Sequence, residues 1–345
     1  MERHNIEDLL AYCSRCGKCR TVCPIFQEMP AESYVARGKV QLYKAIRNGY
    51  LEPSARYREL FSYCLLCGLC TQNCPNEVDT PAIVLQARQE WVQKKGLPFI
   101  KRNVFQNYLN NQGKITFGAK LLYQYQKRGV QKAFQRLHLL PRGLREKESL
   151  LPQIEAQPLR KLLPTTVVPA GKVKGRVGYF TGCLSQYVFT QTGIKLVKTL
   201  NQAGIEVIMP EQVCCGMPAL SAGDKPDAVQ MAKFNTEAFK AAGVDTVITD
   251  CATCGSMVKK KYPVLLEEDL PFKVYDISEF LIRSINIHDL KAVQPRKVTY
   301  HDPCHLNRYM GVKEEPRELL KRMPGIELAE MQETAALCGA SCGLQ

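Results

Sequence analysis

The 345-residue sequence predicts an α+β chain of several domains: a helical N-terminal part, a basic connector, and an α/β part of two related units, the second incomplete. Three observations carry this expectation. A cysteine run closed by proline at residues 13–24 is repeated at 64–75, within sequence whose apolar residues recur at helical spacing. From Gly175 onward short β-type runs alternate with helical patterns, as in a parallel sheet with crossover helices. Within that part Val177-Gly-Tyr-Phe-Thr-Gly-Cys183 is echoed by Val298-Thr-Tyr-His-Asp-Pro-Cys304; thirty residues separate Cys183 from Cys214, and thirty-three separate Cys304 from Cys338.

A chain of this length exceeds one ordinary hydrophobic core, and two or three domains are expected. The hydrophobic fraction of 45% and charged fraction of 23% are ordinary globular values, which exclude a fibrous or wholly disordered chain. The 16 cysteines are not ordinary. Met1 to Leu10 is polar and charged, without the apolar segment of an export signal, so the expected compartment is the cytoplasm. Clustered cysteines in a reducing compartment are expected to bind metal rather than to form disulfides. No run of eighteen apolar residues occurs, so no membrane span is expected, while peripheral contact with the inner face of the cell membrane stays open.

The first domain, residues 1–95, holds Cys13-x2-Cys16-x2-Cys19-x3-Cys23-Pro24 and Cys64-x2-Cys67-x2-Cys70-x3-Cys74-Pro75. Both reproduce the bacterial ferredoxin run, in which two-residue gaps let one tight loop aim three thiolates at one cube while the fourth cysteine serves the other cluster. On that rule one [4Fe-4S] cluster takes Cys13, Cys16, Cys19 and Cys74, and a second takes Cys64, Cys67, Cys70 and Cys23. Gly17 and Gly68 suit the close backbone approach of such loops. Zinc also uses C-x2-C pairs, but a tetrahedral site leaves the four-cysteine run and its proline unexplained. The stretch Ser33 to Tyr63 reads as a helical insert, and Thr80-Pro81 reads as the N-cap and first residue of a helix running to Val92.

The connector, residues 96–174, is where the charge lies. Between Lys94 and Lys174 seventeen Lys and Arg face three acids, an excess equal to the formal net charge of +14 for the whole chain. Its aromatics, Phe99, Phe105, Tyr108, Phe117, Tyr123, Tyr125 and Phe134, read as a buried stripe beneath a solvated basic face. Docking on a membrane surface or a protein is the alternative, and no nucleic-acid module accompanies the charge. Pro141 to Pro169 reads as a linker.

The α/β part, residues 175–345, divides into a unit at about 175–290 and a partial unit at about 295–345. Strands are expected at Gly175 to Phe180, Glu206 to Met209, Thr246 to Thr249, Lys273 to Tyr275 and Lys297 to His301, with helices at about 192–203, 224–242 and 278–285. Cys183, Cys214, Cys215, Cys251 and Cys254 each fall at or just past the carboxyl end of a strand, where open α/β sheets place ligands. Five thiols so placed suit a metal or cluster, with redox-active disulfide chemistry as the alternative.

The order Cys183, Cys214-Cys215-Gly216, Cys251-x2-Cys254 resembles the cysteine-rich CCG domain of heterodisulfide reductase subunits and several partners of flavoenzymes. Preceded by a helical two-cluster ferredoxin domain, it is similar to the iron–sulfur subunit of glycolate oxidase, and the lactate-utilisation and anaerobic glycerol-3-phosphate dehydrogenase subunits share the order. The resemblance implies a third, non-cubane [4Fe-4S] cluster on the five thiols. It further implies an electron-transfer subunit of a flavin-dependent glycolate or lactate dehydrogenase, which takes electrons from an FAD-containing partner and passes them to quinone or a soluble carrier. That no G-x-G-x-x-G, P-loop or G-x-S-x-G occurs agrees with a flavin held elsewhere. A catalytic subunit acting on disulfides, as in heterodisulfide reductase, is the rival, and a degenerate assembly module a third reading.

The second unit departs from the family pattern. It reads Leu337-Cys-Gly-Ala-Ser-Cys-Gly343 in place of Leu-Cys-Cys-Gly and reaches Gln345 before any closing C-x2-C, which reads as truncation or as completion by a partner. Cys304, Cys338 and Cys342, with His301 or His305 as a fourth ligand, make a zinc-like alternative.

Overall fold

The computed structural model describes residues 5–129, 131, 141, 148, 151–287 and 293–331. Helix α1 (Ile6–Ala11) starts where the Asn5 side chain accepts a hydrogen bond from the Glu7 amide, and it buries Leu9 and Leu10. Two short helices follow the last cysteine of the first run and the middle of the second, α2 (Pro24–Glu28) and α5 (Leu69–Gln72). Pro24 opens α2, where a residue without an amide hydrogen loses nothing. Between the runs lie α3 (Ala36–Arg47) and α4 (Ala55–Ser62), whose Val40, Tyr43, Tyr57, Leu60 and Phe61 recur at helical spacing and are buried together.

Helix α6 (Thr80–Lys95) is capped one residue earlier than its sequence suggests. Asp79, not Thr80, is the N-cap, its Oδ1 accepting from the Ala82 amide at 3.1 Å. Thr80 is released from capping and its hydroxyl instead hydrogen-bonds the thiol of Cys70.

The connector is helical through α7 (Phe99–Asn103), a π-turn at Val104–Leu109 and α8 (Gln112–Lys127). Its aromatics do not form one buried stripe. Phe105 is buried, but Phe99 and Phe117 are 80% and 62% exposed and Tyr108 is exposed as well. Helices α7 and α8 bury no residue, so nothing covers the aromatics spread around them. Phe134 lies outside the described residues.

The first α/β unit is a five-stranded sheet of order β1-β3-β2-β4-β5, with β1 (Thr166–Val167), β2 (Gly175–Tyr179), β3 (Ile205–Ile208), β4 (Thr246–Thr249) and β5 (Lys273–Asp276). Strands β2 to β5 are parallel, and β1 is antiparallel to β3. The end of the proline-punctuated run is therefore not linker: Leu159 is fully buried, and Thr166 and Val167 extend the sheet. Helices Thr190–Gln202 and Lys225–Ala241 are the crossovers, and apolar pairs such as Phe180 against Phe239 close the core. The second unit contributes a parallel pair, β6 (Arg296–Val298) and β7 (Ile326–Leu328), with helix Glu314–Lys321 between them. Arg317 forms a bidentate, buried ion pair with Asp302 at 2.8 Å, which ties that helix to the segment leading into Cys304.

The two parts share one apolar core. Arg88 of α6 is the polar clasp across it, donating to the carbonyls of Phe61, Ser62 and Cys64 on one side and of Ser221 on the other. Among the described residues no helix is long and apolar enough to cross a membrane.

Candidate metal centres

The duplicated runs fold as duplicated loops. Arg15 and Gly17 have φ of 61° and 85°, and their counterparts Leu66 and Gly68 have 54° and 76°. A left-handed non-glycine residue before the second cysteine of each run is strained, and equal strain at equivalent positions marks a loop shaped by what it encloses. Each loop encloses a small cavity. One is walled by Cys13, Cys16, Cys19, Cys70 and Cys74, and the other by Cys23, Cys64, Cys67 and Cys70, so each mixes thiols of both runs. Cys70, Ala36 and Thr80 line both cavities, which places the two side by side.

The walls hold no carboxylate or imidazole. They hold cations instead: Arg15, Lys18 and Arg37 at the first cavity, and the buried Lys39 at the second. Arg37 donates to the Arg15 carbonyl at 2.9 Å and is held by Glu32. Lys39 donates to the Tyr34 carbonyl, and burial lowers its pKa while the thiols of Cys64, Cys23 and Cys70 raise it. Burial raises the Cys70 and Cys67 thiols. Sequence reasoning did not single out Arg37 and Lys39. Their only signal is that they are two of the four cations on the helix between the runs.

The third group forms at the carboxyl ends of β2, β3 and β4. Strand β2 lies between its two sequence successors, so the chain reverses direction across it and opens a crevice there. Cys183 follows β2, Cys214 and Cys215 follow β3, and Cys251 and Cys254 follow β4. Four of the five sulfurs are linked: Cys215 hydrogen-bonds Cys214 and Cys254, and Cys254 also bonds Cys251. The same contacts hold Cys215 well below the usual thiol range and push Cys214 and Cys254 up. Cys183 is exposed as a residue, while its thiol is turned into the group. Desolvation of its thiol, with the charges of Cys215 and Cys251, pushes it up to about 12. A Cβ on Gly182 would stand 2.8 Å from Cys254 Sγ, so only glycine there lets Cys254 approach.

Backbone anchors fix these loops. Asn235 donates to the Cys214 carbonyl and Tyr262 to the Cys215 carbonyl, both at 3.0 Å. Ser185 donates to Asp250 at 2.6 Å and ties the Cys183 helix to the Cys251 loop. From the second unit, buried His305 has Nδ1 2.6 Å from Ser256 Oγ and its ring against Tyr309, so it reaches across to the first unit. Cys304 is buried beside it, and Cys338 and Cys342 lie outside the described residues. Among the described residues, no three Cys, His, Asp or Glu side chains converge tightly enough for a single ion. The donor set of the two cavities, thiols with no carboxylate or imidazole among them, suits an iron–sulfur cluster.

The comparisons with known proteins fall on the same residues. Residues 9–78 match the 4Fe-4S dicluster domain, and residues 177–259 and 298–345 match the cysteine-rich CCG domain. Over 97% of its length the chain is 33% identical to the probable glycolate oxidase iron–sulfur subunit of Bacillus subtilis, covering 80% of that protein. The chain belongs to the glycolate oxidase iron–sulfur subunit family. This family membership makes it an iron–sulfur protein with a role in an oxidoreductase. The chain is also 29% identical, over 96% of its length and 78% of the relative's, to a dihydromethanophenazine:CoB–CoM heterodisulfide reductase subunit of Methanosarcina acetivorans. To a fumarate reductase (CoM/CoB) subunit of Methanothermobacter marburgensis it is 30% identical, spanning 59% of that longer protein.

Proposed function

We propose that this chain is the electron-transfer subunit of a flavin-dependent 2-hydroxyacid dehydrogenase of glycolate or lactate type. It takes electrons from an FAD-containing partner and passes them to quinone or a soluble carrier at the cytoplasmic side of the membrane. Cys13, Cys16, Cys19 and Cys74 hold one [4Fe-4S] cluster, Cys23, Cys64, Cys67 and Cys70 a second, and the five thiols from Cys183 to Cys254 a third. Such clusters supply one-electron transfer. The observation that carries the reading is the pair of adjoining thiol-lined cavities with Cys70 in the wall of both, because neighbouring centres in low-dielectric surroundings are what a relay needs. The chain's own residues do the rest. Arg37 and Lys39 balance the negative charge of thiolate-bound clusters, and Arg88 keeps the Cys64 loop in register with the α/β unit.

The test is anaerobic co-purification with an FAD-containing hydroxyacid dehydrogenase, followed by addition of glycolate or lactate. Bleaching of the cluster absorbance that depends on both the hydroxyacid and the flavoprotein supports the reading, and no bleaching with either acid sinks it. The exposure of residue Cys183 favours one second reading, catalysis on a disulfide at the five-thiol group. Under that reading the isolated chain reduces a disulfide with an artificial electron donor.

A further inference from the structure

Beside the second cysteine loop lies a cleft of about 540 Å³, bounded by α4, α6, the start of α7 and the end of helix Met217–Ala222 of the α/β unit. None of the electron-transfer roles above uses it. Its walls include Tyr57, Trp91 and Leu97, and Cys64 is part of the wall. A cleft of this size, whose aromatic and aliphatic lining also includes Arg58, Glu59, Arg88 and Lys101, is a ligand site in the ordinary range. A ligand seated there touches a residue that the reading above makes a cluster ligand, so electrons need cross no intervening protein.

The mouth narrows the class of ligand. Leu97, Pro98 and Lys101 line the cleft, and between them in sequence Phe99 and Ile100 stand 80% and 75% exposed, followed by the cation Arg102. Two fully presented apolar side chains flanked by Lys and Arg suit contact with an anionic lipid surface, from which an apolar ligand can enter. A protein carrier would dock on a face instead of filling a cleft. A nicotinamide would need a cradle for its diphosphate, and the sequence carries no glycine-rich phosphate loop.

We propose that this cleft binds the ring of a lipid-soluble quinone, with Trp91 against it and Cys64 as the point of electron entry. The proposal rests on the electron-transfer reading and adds the acceptor's place in this chain. Reduction of one quinone to quinol takes two electrons and two protons. The electrons come singly from the reduced clusters, which the flavoprotein donor refills, and the protons come from water at the open mouth.

Trp91 is the one tryptophan of the sequence, so intrinsic fluorescence reports the cleft directly. The full chain, purified anaerobically with its clusters oxidised, is titrated with decylubiquinone and with 2,3-dimethyl-1,4-naphthoquinone. Saturable quenching is expected with at least one of them. Ala55→Phe and Ala222→Phe, which fill the cleft from different walls, should each weaken binding by about tenfold or more while iron content stays at the wild-type level. Quenching that is linear in quinone, or equal in wild type and in a filled variant that retains its iron, overturns the proposal. The titration needs no donor, so quinone binding without hydroxyacid-dependent bleaching would fault the dehydrogenase reading alone. Bleaching without saturable quenching would fault the cleft alone.

Discussion

The Tyr309 hydroxyl donates a 2.6 Å hydrogen bond to the carbonyl of Leu66, the left-handed residue of the second cysteine loop. The equivalent carbonyl in the first loop, that of Arg15, is held by Arg37 from within the helical domain. The duplicated loops are thus fastened differently, one locally and one by a residue 243 positions away. Arg308 adds a second bond, to the Cys67 carbonyl at 3.1 Å. Tyr309→Phe should therefore loosen only the second loop, at about 1 kcal/mol for the lost bond. Paramagnetic resonance of the reduced protein is expected to show one of two ferredoxin-type signals broadened and the other unchanged; equal broadening of both would count against separate fastening.

Cys64→Ser should remove one ferredoxin-type signal and leave the other largely intact, because Cys64 lines one cavity and not the other. Iron content should fall by about four atoms per chain. Loss of both signals with normal folding by circular dichroism would mean that the centres assemble as a unit.

Cys215 is the thiol that bonds two of its neighbours, and it anchors the group at the sheet edge. Cys215→Ala is expected to lower iron from about twelve to about eight atoms per chain, with both ferredoxin-type signals retained. Unchanged iron would refute a third cluster on these thiols.

Lys39 is 2% exposed and lines the cavity of Cys23, Cys64, Cys67 and Cys70. A buried positive charge favours the reduced, more negative state of a cluster there. Lys39→Met should lower the midpoint potential of that cluster by tens of millivolts and leave the other close to its wild-type value. A redox titration followed by paramagnetic resonance measures both, and a rise in either would contradict the electrostatic assignment.

Asp227, near the start of helix Lys225–Ala241, has its pKa raised to about 6, first by burial and then by its hydrogen bond to Asp224. An unfolded aspartate releases its proton near ~3.9, so the native state holds the proton more tightly and stability falls as pH rises between these values. Asp227→Asn keeps a donor toward Asp224 without the charge. Its Tm should exceed that of wild type at pH 8 and match it at pH 4, and an equal shift at both would rule out titration as the cause.

Much of the fold is legible from local pattern. The two cysteine runs, the alternation of strand and helix after Gly175, and the echo of Val177 to Cys183 in Val298 to Cys304 depend on residues close in sequence, where periodicity and spacing act. The placing of Cys183, Cys214, Cys215, Cys251 and Cys254 together at one sheet edge follows from a general property of parallel sheets, since successive strands end on the same side. The cap of α6 is ambiguous in sequence because Asp79 and Thr80 are both good caps, and the choice between them turns on the distant thiol of Cys70. Burial of the connector aromatics cannot be read the same way, because helical spacing shows that residues share a face without showing that anything covers it.

By itself the sequence determined which chemistry this protein can hold, because cluster-binding thiols must come in short loops whose spacing is written in consecutive residues. Only the tertiary structure decided how the loops are fastened and what lies beside them. Tyr309 on Leu66, Arg88 between Cys64 and Ser221, and the cleft at Trp91 join positions scores of residues apart. No local pattern encodes such meetings, because they arise when separate elements pack and each satisfies groups the other leaves open.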